Sequence, residues 1–547
     1  MLPDTPEQHA ILFPRLTEAH LSELRQRGIL KKTLPSEVLF DRETERPGIF
    51  IVLSGSIELI GEANGRVAVL AELRPGEFTG ELTQLSERRS LVSCRVLDPG
   101  EVLEVDRASL REIMQSEATI GNVLLGAFVQ RRIYLIANAV GNAVLIGSQH
   151  SSDTLRLRSF LVRNGHPYTY VDVDREPDIQ SVLDQFAIRF EDVPVLICRS
   201  DVVLRSPSNA DAAACFDLNA GIDQTDVFDV IVVGAGPAGL AAAVYGASEG
   251  LDVLVVEGNA PGGQAGSSSR IENYLGFPLG VSGQELAERA FVQAEKFGAK
   301  ISIARNARTL ECVPPPYTVF LDDGNMFKAR TVVIATGARY RRLSVEGADR
   351  FDGNGVYYGA TPLEAAMCKN EEVAIVGGGN SAGQAAVFLA SLAKHIHLLV
   401  RRSNLSSTMS KYLISRIEAT KNISLRTLTI VEGLEGDKSL EHIRWKDLRT
   451  EAIECHEIKR LFMMTGGDPN TAWLGDCVAL DAKGFVKTGA GVMDGWKLAR
   501  PPLPLETSVP GIFAIGDVRA ESIKRVASAV GEGAMSIQFV HQALATQ

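Results

Sequence analysis

Cysteine is scarce in this chain, with seven residues among 547, and no two of them form a Cys-x-x-Cys pair. They are Cys94, Cys198, Cys215, Cys312, Cys368, Cys455 and Cys477. An odd, scattered set of this kind argues against a disulfide framework and favours a reducing compartment. The N-terminal residues also lack a signal-peptide pattern, so we expect a cytoplasmic protein.

Basic residues are in the minority. There are 56 lysines and arginines against 67 aspartates and glutamates, which gives a formal net charge of −11. This balance argues against bulk nucleic-acid binding. Apolar residues make up 45% of the chain and charged residues 22%, a composition that excludes disordered and collagen-like chains. Low-complexity tracts and short internal repeats are also missing.

The length and the glycine content point to several domains and to nucleotide-binding loops. Domains of roughly 100–200 residues predict about three to five units in a chain of this length. Fifty of the 547 residues are glycine, about nine per cent against a usual seven or so. Such an excess often marks glycine-rich nucleotide loops.

The first 140 residues combine short β-runs with a helix. The runs EVLF, GIFIVLSGSIELI, VAVLAEL and EVLEVD are separated by turn signals such as SG, NG, PG and DPG. This spacing is typical of a small β-roll or barrel. Between positions 107 and 137 the apolar residues recur at helical spacing. Residues 1–140 are therefore predicted to form one β-rich domain that ends in a helix.

The middle of the chain is predicted to contain a small α/β unit and a linker. Residues 141–205 have the pattern of a β-α-β unit with a terminal β-hairpin, with helices at 154–164 and 179–186. Residues 206–226 are polar and alanine-rich, as linkers are. From position 227 onward strands and helices alternate, as in doubly wound α/β sheets. The predicted fold class is a multidomain α/β protein.

A glycine-rich strand–turn–helix unit begins the C-terminal part, with the sequence DVIVVGAGPAGLAAAVYGASEGLDVLVVEG. Its strand ends in Gly234-x-Gly236-x-x-Gly239, and a second strand ends at Glu257. In this motif the glycines permit a tight turn, a close pyrophosphate and helix packing, while the acid binds ribose hydroxyls. The same spacing explains the nearly apolar stretch 230–247, which otherwise resembles a membrane span.

A second unit of this kind reads EEVAIVGGGNSAGQAAVFLASLAKHIHLLVRRS. It contains Gly377-x-Gly379-x-x-Ala382, and its second strand is followed by Arg401 and Arg402. The ribose-binding acid is absent here and two guanidinium groups stand in its place. Arginine suits bidentate binding of a 2′-phosphate, so the sequence favours NADP over NAD.

Two more motifs complete the pattern, ATGA from position 335 and TSVPGIFAIGDVR from position 507. With these motifs residues 228–547 resemble flavoproteins with two dinucleotide-binding domains, and most of all the low-molecular-weight thioredoxin reductases. The resemblance implies an FAD-binding domain at 227–340 and 465–547 and an inserted NADPH-binding domain at 341–464. It also implies a homodimer.

The resemblance assigns residues to both cofactors. Asp517 would bind the ribitol chain, Gly262–Gln264 with Asn273 would lie along the flavin, and the last helix, from Arg525, would reach the isoalloxazine ring. The residues implied for FAD are Gly234, Gly236, Pro237, Ala238, Gly239, Glu257, Gly262, Gly263, Gln264, Asn273, Ala335, Thr336, Gly337, Gly516, Asp517, Arg525, Val526 and Ala527. Those implied for NADPH are Gly377, Gly379, Asn380, Ser381, Ala382, Arg401 and Arg402.

The chain departs from the thioredoxin reductases at their redox-active dithiol. The resembling stretch places Gly359 and Pro362 where that family has its two cysteines. Neither residue can carry a thiolate, so the usual thiol–disulfide relay is missing. Two nearby residues are candidates for catalysis. Cys368 could act alone, or could be an ordinary buried side chain, and Glu364 could deliver protons near the flavin.

The middle unit, 141–205, resembles a glutaredoxin- or thioredoxin-type domain. The resemblance is carried by AVLIGS, a helix, YTYVDVD and Val193-Pro194 before a strand, and it implies a cis peptide bond at Pro194. The loop that would hold the active site reads GSQHSSDT, without cysteine. We therefore interpret this unit as a docking or spacer domain.

The N-terminal domain resembles cyclic nucleotide-binding domains through the stretch PGEFTGELTQLSERRSLVS. In that family backbone amides and an arginine hold the cyclic phosphate, and a glutamate bonds the ribose 2′-hydroxyl. The corresponding residues are Gly80, Glu81, Leu82, Arg89 and Ser90. The spacing from Glu81 to Arg89 is one or two residues short, so a purely structural or dimerising domain is the alternative.

Together these motifs predict a cytoplasmic flavoenzyme in which NADPH reduces FAD and the flavin passes electrons to an unidentified acceptor. Ferredoxin, flavodoxin, quinone and oxygen are candidate acceptors, and cAMP or cGMP is a candidate effector. One alternative is a thioredoxin reductase that uses a thiol outside a Cys-x-x-Cys. Another is a sensor that binds FAD and nucleotides without useful turnover. Cys455-His456 has no companion at metal-ligand spacing, so no metal is expected.

Overall fold

The computed structural model describes residues 5–42, 48–63, 66–81, 84, 89–138, 143–175, 189, 192–198, 202–219, 221–222, 225–312 and 315–546. Within these residues the strands form six sheets of five, four, seven, two, five and three strands. Each of the larger sheets belongs to one stretch of the chain, apart from the seven-stranded sheet, which is completed by a strand near the C-terminus.

The N-terminal part is the predicted β-rich domain that ends in helix. Helices α1 (Pro6–Leu12) and α2 (Glu18–Arg25) precede an antiparallel sheet of β1 (Ile29–Lys32), β2 (Val38–Phe40), β3 (Ile49–Ala63), β4 (Arg66–Leu73) and β5 (Ser93–Val105). The helical pattern after β5 divides into α3 (Arg107–Ser116) and α4 (Ala118–Ala137). The two helices meet at Glu117, whose backbone leaves the helical region.

The middle unit has a four-stranded sheet. Its elements are β6 (Val144–Gly147), α5 (Ser152–Arg163), β7 (Thr169–Asp172), β8 (Val195–Cys198) and β9 (Val202–Arg205). The strand order is β7-β6-β8-β9, with β6 parallel to β7 and the other neighbours antiparallel. The Val193–Pro194 peptide bond is cis, as the sequence predicted. The helix predicted at 179–186 lies outside the described residues.

The segment predicted as a linker contains a helix, α6 (Asn209–Cys215). Ser208 and Asp211 form a capping box at its start, which satisfies backbone amides that an isolated polar segment would leave to water. The segment 206–226 predicted as a linker therefore includes a short helix, and its role as a linker stays a prediction. Polar and alanine-rich composition suits a short capped helix as well as a linker.

The sequence suggested that the cysteines are unpaired, but four of them form disulfides. Cys198 forms a disulfide with Cys215, and Cys312 forms one with Cys477. The partners are 17 and 165 residues apart, so their spacing gave no sign of pairing. The expectation of a chain without disulfides is corrected, because folding brings these distant residues together.

The C-terminal part begins with most of the seven-stranded sheet. Its strands are β10 (Val227–Val233), β11 (Val253–Glu257), β12 (Lys300–Ile303), β13 (Ala307–Glu311), β14 (Tyr317–Leu321) and β15 (Met326–Ile334). The order is β12-β11-β10-β15-β14-β13, and the first four of these are parallel. Helices α7 (Pro237–Ser248), α8 (Gly263–Gly266) and α9 (Gly283–Phe297) connect the parallel strands.

A second α/β unit is inserted between β15 and the end of the chain. It contains β16 (Ala338–Tyr340), β17 (Val356–Tyr357), α10 (Pro362–Ala366), β18 (Glu372–Val376), α11 (Asn380–Leu389), β19 (His395–Val400), α12 (Lys411–Ala419), β20 (Ile423–Thr427), β21 (Thr429–Glu435), β22 (His442–Asp447), β23 (Ile453–His456), β24 (Leu461–Met463) and β25 (Gly467–Pro469). Its parallel sheet has the order β17-β24-β18-β19-β20, and β21, β22 and β23 form a separate antiparallel sheet.

The chain returns to the first sheet after the insertion. The outgoing strand β16 pairs with the returning strand β25, so two connections join the units. Strand β26 (Ile512–Ala514) then adds to β15, and α13 (Val526–Leu544) packs against α7. The predicted doubly wound arrangement is thus a discontinuous sheet with a second α/β unit inserted in it.

The apolar stretch 230–247 is divided between the end of β10 and most of α7. In the described part of the chain, no helix has both the length and the apolar character needed to cross a membrane.

Candidate functional site

The turn between β10 and α7 can be built only from glycine at two positions. A Cβ added to Gly234 would lie 2.4 Å from the carbonyl oxygen of Ala335, and Gly234 has a φ of +107°. A Cβ added to Gly239 would lie 1.8 Å from the carbonyl oxygen of Gly234. Both distances are far below contact, so any side chain would force the backbone apart.

Gly236 leaves open space in front of the first turn of α7. The nearest atom to a Cβ at this position is the Cα of Gly263, at 4.0 Å. Gly236 is the N-cap of α7, Pro237 follows it, and no side chain caps the helix. Free amides at the positive end of a helix dipole attract anions, so the geometry fits a dinucleotide pyrophosphate.

Glu257 lies at the end of β11 and holds the neighbouring loops. One carboxylate oxygen accepts a hydrogen bond from the backbone N–H of Ala235 at 2.7 Å, and the other accepts one from Asn259 at 2.9 Å. Each oxygen can accept a further bond. The predicted contact with a ribose therefore stays a prediction, and the carboxylate is positioned at the correct end of the strand for it.

The loop after β11 passes close to the same turn. The N–H of Gly262 donates to the carbonyl oxygen of Ala235 at 2.7 Å. Gly262 and Gly263 have φ values of +99° and +53°, which favour glycine. The Gln264 side chain donates to the carbonyl oxygen of Ala338, and Asn273 is exposed on the following loop.

The ATGA segment and its partner Asn470 tie the two connections of the inserted unit together. The Thr336 hydroxyl donates to the carbonyl oxygen of Asn470 at 2.8 Å, and the Asn470 amide donates back to the carbonyl oxygen of Thr336 at 2.9 Å. Gly337 has a φ of +64°. Asn470 was not singled out from the sequence, since nothing in its surroundings matches a motif.

The C-terminal motif meets the first turn of α7. A Cβ added to Gly516 would lie 3.0 Å from that of Ala238. The N–H of Gly516 donates to Glu532 at 2.6 Å, and the Lys524 ammonium donates to the carbonyl oxygen of Asp517 at 2.6 Å. Burial raises the pKa of Asp517. This brings together residues nearly 280 positions apart.

Helix α13 starts beside this motif, and its first turn is open. Arg525 is the N-cap residue and no side chain caps the helix. Val526 and Ala527 form its first turn. Close packing fixes the helix, because a Cβ on Gly533 would lie 2.3 Å from the carbonyl oxygen of Ala238. The first turn of α7 therefore packs against α13 about two turns from the start of that helix.

The second glycine motif repeats the geometry in the inserted unit. Gly377 has a φ of +149°, and its Cβ would lie 2.4 Å from the carbonyl oxygen of Met464 and 3.0 Å from the Cβ of Ala382. Gly379 is the uncapped N-cap of α11 and has nothing within 4 Å. The Asn380 side chain accepts from the N–H of Ser410 at 2.8 Å, and Ser381 is exposed.

Arg401 and Arg402 directly follow β19, at the carboxyl end of the second sheet. Both side chains are exposed. Arg402 donates to the Ser407 hydroxyl at 3.2 Å. Among the described residues neither arginine forms an ion pair with a carboxylate, so both guanidinium groups are available to a phosphate.

Helix α10 begins in the stretch where the resemblance to thioredoxin reductases implies the dithiol. Thr361 is its N-cap, and the Glu364 carboxylate accepts from the N–H of Thr361 at 2.9 Å, which completes a capping box. A Cβ at Gly359 would meet nothing within 4 Å. Capping explains Glu364 without any proton transfer, so its catalytic assignment stays a prediction that the geometry does not favour.

Cys368 lies inside the core of the inserted unit. Its side chain is 0% exposed, and its Sγ is 3.2 Å from the carbonyl oxygen of Glu364. Burial raises the pKa of the thiol to about 12, so almost no thiolate forms near neutral pH. These surroundings are those of a structural cysteine, and the predicted catalytic role has no support in the geometry.

The N-terminal candidate residues lie beside two arginines that the sequence analysis missed. The Arg132 guanidinium lies 3.3 Å from Glu81, and the two side chains are 6% and 4% exposed. Arg131 donates to the carbonyl oxygen of Gly80 at 2.7 Å. Both arginines belong to α4, and the sequence pattern there indicated only a helix. That pattern gave no sign that the two side chains contact Gly80 and Glu81.

The other candidates in this domain also have partners inside the chain. Arg89 forms an ion pair with Asp217 at 2.9 Å, and the Ser90 hydroxyl donates to the carbonyl oxygen of Val92 at 2.8 Å. Leu82 lies outside the described residues. The cavity that Gly80, Glu81 and Ser90 help to line has a volume of about 40 Å³, enough for a few water molecules.

Comparison with known families agrees with the two glycine turns and the inserted unit. Residues 228–533 match the model for pyridine nucleotide-disulphide oxidoreductases, which is more than half of the chain. The chain belongs to this family. Residues 30–117 match the model for the cyclic nucleotide-binding domain. The middle unit, between these two regions, is covered by neither match.

The relatives by sequence include thioredoxin reductases. One from Ureaplasma parvum is 31% identical over 320 residues, covering 58% of this chain and 97% of the relative. One from Treponema pallidum is 33% identical over 313 residues, covering 57% and 95%. NADPH-dependent thioredoxin reductase 3 of Arabidopsis thaliana is 33% identical, but the alignment spans just 56% of its length.

A solved structure gives the same picture of the C-terminal part. Thioredoxin reductase of T. acidophilum matches with a TM-score of 0.52 and 29% identity, over 58% of this chain and 98% of that chain. The region from 228 onward is therefore a thioredoxin reductase-like oxidoreductase. The family implies FAD and NAD(P)H, and both glycine cradles fit a dinucleotide.

We predict that Gly239→Ala abolishes FAD binding, because its methyl group would overlap the carbonyl oxygen of Gly234. The FAD content after purification, read from the ratio of flavin to protein absorbance, should fall at least about tenfold, equivalent to ~1.4 kcal/mol or more. Gly531→Ala is the control, since a Cβ there meets nothing within 4 Å. Normal flavin content in the Gly239 variant would contradict this account of the turn.

We predict that Cys368→Ser leaves the rate of NADPH oxidation within about twofold of the wild type, because a buried thiol with a raised pKa carries no thiolate. Thiol labelling of the native protein should modify the exposed Cys455 and not Cys368. Cys368→Ala serves as a second variant that adds no buried hydroxyl. Loss of activity in both variants with retained FAD would show that the thiol takes part.

Proposed function

We propose that the chain is an FAD-dependent NADPH oxidoreductase whose flavin passes electrons to an acceptor without a dithiol on α10. One observation carries the proposal. The chain keeps both dinucleotide cradles, while Gly359 and Pro362 occupy the positions where the resemblance to thioredoxin reductases implies cysteines. Two dinucleotide cradles without a thiol at the position of the dithiol favour electron delivery by another route.

The proposed FAD site is supported by the convergence of α7 and α13. The open amides of both N-termini would hold the phosphates and the pyrimidine end of the flavin. Glu257 would accept from the ribose hydroxyls, and Asp517 would contact the ribitol chain. When bound, the flavin and nicotinamide supply the hydride chemistry. The chain binds and orients them.

The proposed choice of NADPH is supported by Arg401 and Arg402. Their exposed guanidinium groups directly follow β19, the second strand of the second glycine motif. In the first glycine motif the corresponding strand, β11, ends in Glu257. Cations at this place attract a 2′-phosphate, whereas a carboxylate would repel it. We therefore propose NADPH, bound along Gly377, Gly379, Asn380, Ser381 and Ala382.

A second candidate is reduction of a thioredoxin-type disulfide through another thiol. The relatives named thioredoxin reductase and the Cys198–Cys215 pair favour it. Against it, Cys198 is 0% exposed in the core of the middle unit. Thioredoxin, ferredoxin and flavodoxin all remain proposed partners, and a non-catalytic sensor is the third alternative.

The middle unit is proposed to be a thioredoxin-like docking or spacer domain. It is held to the FAD-binding part by hydrogen bonds from Gln284 to the carbonyl oxygen of Val162 at 3.1 Å and from Arg163 to the carbonyl oxygen of Gly263 at 3.0 Å. No cysteine is present in the loop before α5. These contacts suit a fixed spacer better than a mobile carrier of electrons.

The N-terminal domain is proposed to bind cAMP or cGMP and so regulate turnover. The match to the cyclic nucleotide-binding domain supports this. The cavity of about 40 Å³ beside Glu81 would have to open to admit the nucleotide. A ribose hydroxyl would compete with Arg132 for Glu81, and a phosphate would compete with Asp217 for Arg89. Since Asp217 precedes β10 by ten residues, breaking its ion pair would reach the FAD-binding part.

We expect anaerobic titration with NADPH to bleach the flavin absorbance, followed by rapid reoxidation by at least one acceptor. Cytochrome c reduction that depends on ferredoxin would support the proposal. DTNB reduction that depends on thioredoxin would support the second candidate. If NADPH does not bleach the flavin, both reductase proposals fail and the non-catalytic sensor is the alternative that is supported.

The nucleotide preference is measured on the same preparations. Replacing Arg401 and Arg402 by alanine should raise the KM for NADPH about tenfold or more and leave that for NADH little changed, since NADH has no 2′-phosphate. Equal changes for both nucleotides would show that the arginines do not bind this group.

We expect cAMP or cGMP to change the steady-state rate of NADPH oxidation at least about twofold, and we expect Glu81→Gln to remove that response. Arg308→Ala, an exposed change on β13, is the control for altered charge. Equal rates with and without each nucleotide would overturn the proposed regulation.

A further inference from the structure

A cavity of about 570 Å³ lies where three parts of the chain meet. One wall is α5 of the middle unit, the second is the loop that follows α8, and the third is α10 of the inserted unit. None of the residues assigned above to FAD or NADPH lines it. Its volume lies in the range of small-molecule sites, roughly 300–1,000 Å³.

The wall formed by α5 presents one face of that helix. Leu155, Arg158, Ser159 and Val162 follow the i, i+3, i+4, i+7 spacing and therefore lie on the same side. The adjacent Arg163 reaches across to the FAD-binding part. Its Nη2 donates to the carbonyl oxygens of Gly263 at 3.0 Å and of Ala260 at 3.3 Å.

The cavity is positively charged in a chain whose net charge is −11. Arg158, Arg163 and Arg175 line it, and none of the described residues that line it is acidic. Within the described residues, Arg158 and Arg163 form no ion pair. Arg175 forms a long ion pair with Asp172, at 3.9 Å. Arg158 and Arg163 are half-buried and Arg175 is exposed. A partly desolvated guanidinium group favours a nearby anion, because desolvating an unpaired charge is costly.

Donor groups around the arginines are also left without partners. The Nε atoms of Arg158 and Arg163 are buried and make no hydrogen bond. The Arg158 guanidinium stacks on the Tyr170 ring, 4.2 Å from its centroid, which holds it in place. The hydroxyls of Ser268 and Ser269, on the opposite wall, make no hydrogen bond to any described residue.

We propose that this cavity binds a small organic polyanion that carries phosphate or carboxylate groups. Guanidinium groups are the preferred partners of such groups, and they match them with paired hydrogen bonds. The serine hydroxyls supply neutral donors, and the apolar side chains of Leu155, Val162 and Leu363 suit a carbon skeleton. A bound anion would offset the charge of the three arginines.

The position of the cavity ties this ligand to the rest of the molecule. Thr361 and Pro362, at the start of the helix that replaces the dithiol helix, line its third wall. A ligand here contacts the middle unit, the FAD-binding part and the inserted unit together. The assignment does not depend on the proposed electron acceptor.

The test is calorimetric titration of the FAD-loaded protein, saturated with NADP⁺ so that Arg401 and Arg402 are covered, at constant ionic strength. Inorganic pyrophosphate and citrate represent the phosphate and carboxylate forms. We expect one of them to bind, and we expect Arg158→Met to weaken it at least about tenfold. The Arg158→Lys variant should lose less of its affinity for the anion. The Arg308→Met variant, changed at an exposed residue of β13, should bind the anion as tightly as the wild type.

Two results would overturn the proposal. One is the absence of binding by both anions at millimolar concentration. The other is equal binding by the wild type and by the double variant Arg158→Met, Arg175→Met. Flavin content is measured in every variant, because a fall in FAD would show that the arginines serve that cofactor instead. Bleaching by NADPH in the same samples reports the proposed function separately.

Discussion

The close approach of backbone to backbone at the end of β10 is the constraint on which the C-terminal part depends. Gly239 must lie against the carbonyl of Gly234, and Gly234 against that of Ala335, at distances that leave no room for a Cβ. This contact sets the start of α7, the spacing of β10 from β15 and the open space at Gly236. The cradle for a dinucleotide is a consequence of that packing.

The same device recurs in the inserted unit, where Gly377 lies against the carbonyl of Met464. Two connections, β16 and β25, carry this unit, and they pair with each other. The ion pair of Arg416 with Glu272, at 2.6 Å, is a further contact between this unit and the FAD-binding part. Because Arg416 is half exposed, such a pair contributes little to stability.

The sequence predicted the motifs well where the chemistry is local. Gly234, Gly239, Gly377 and the strands around them follow from spacing, because a tight turn needs its glycines at fixed offsets. Prediction failed where partners are distant. The pairing of Cys312 with Cys477, the ion pair of Glu81 with Arg132 and the helix within 206–226 depend on contacts or capping that composition and periodicity do not reveal.

The sequence by itself determined two nucleotide cradles, an arginine pair in place of the second acid and the loss of the dithiol, because each depends on residue type within a short stretch. The tertiary structure alone decided that Cys368 is buried. Only the tertiary structure shows that Arg158, Arg163 and Arg175 line one cavity together with the start of α10. Burial and the meeting of distant side chains are properties of the packed chain.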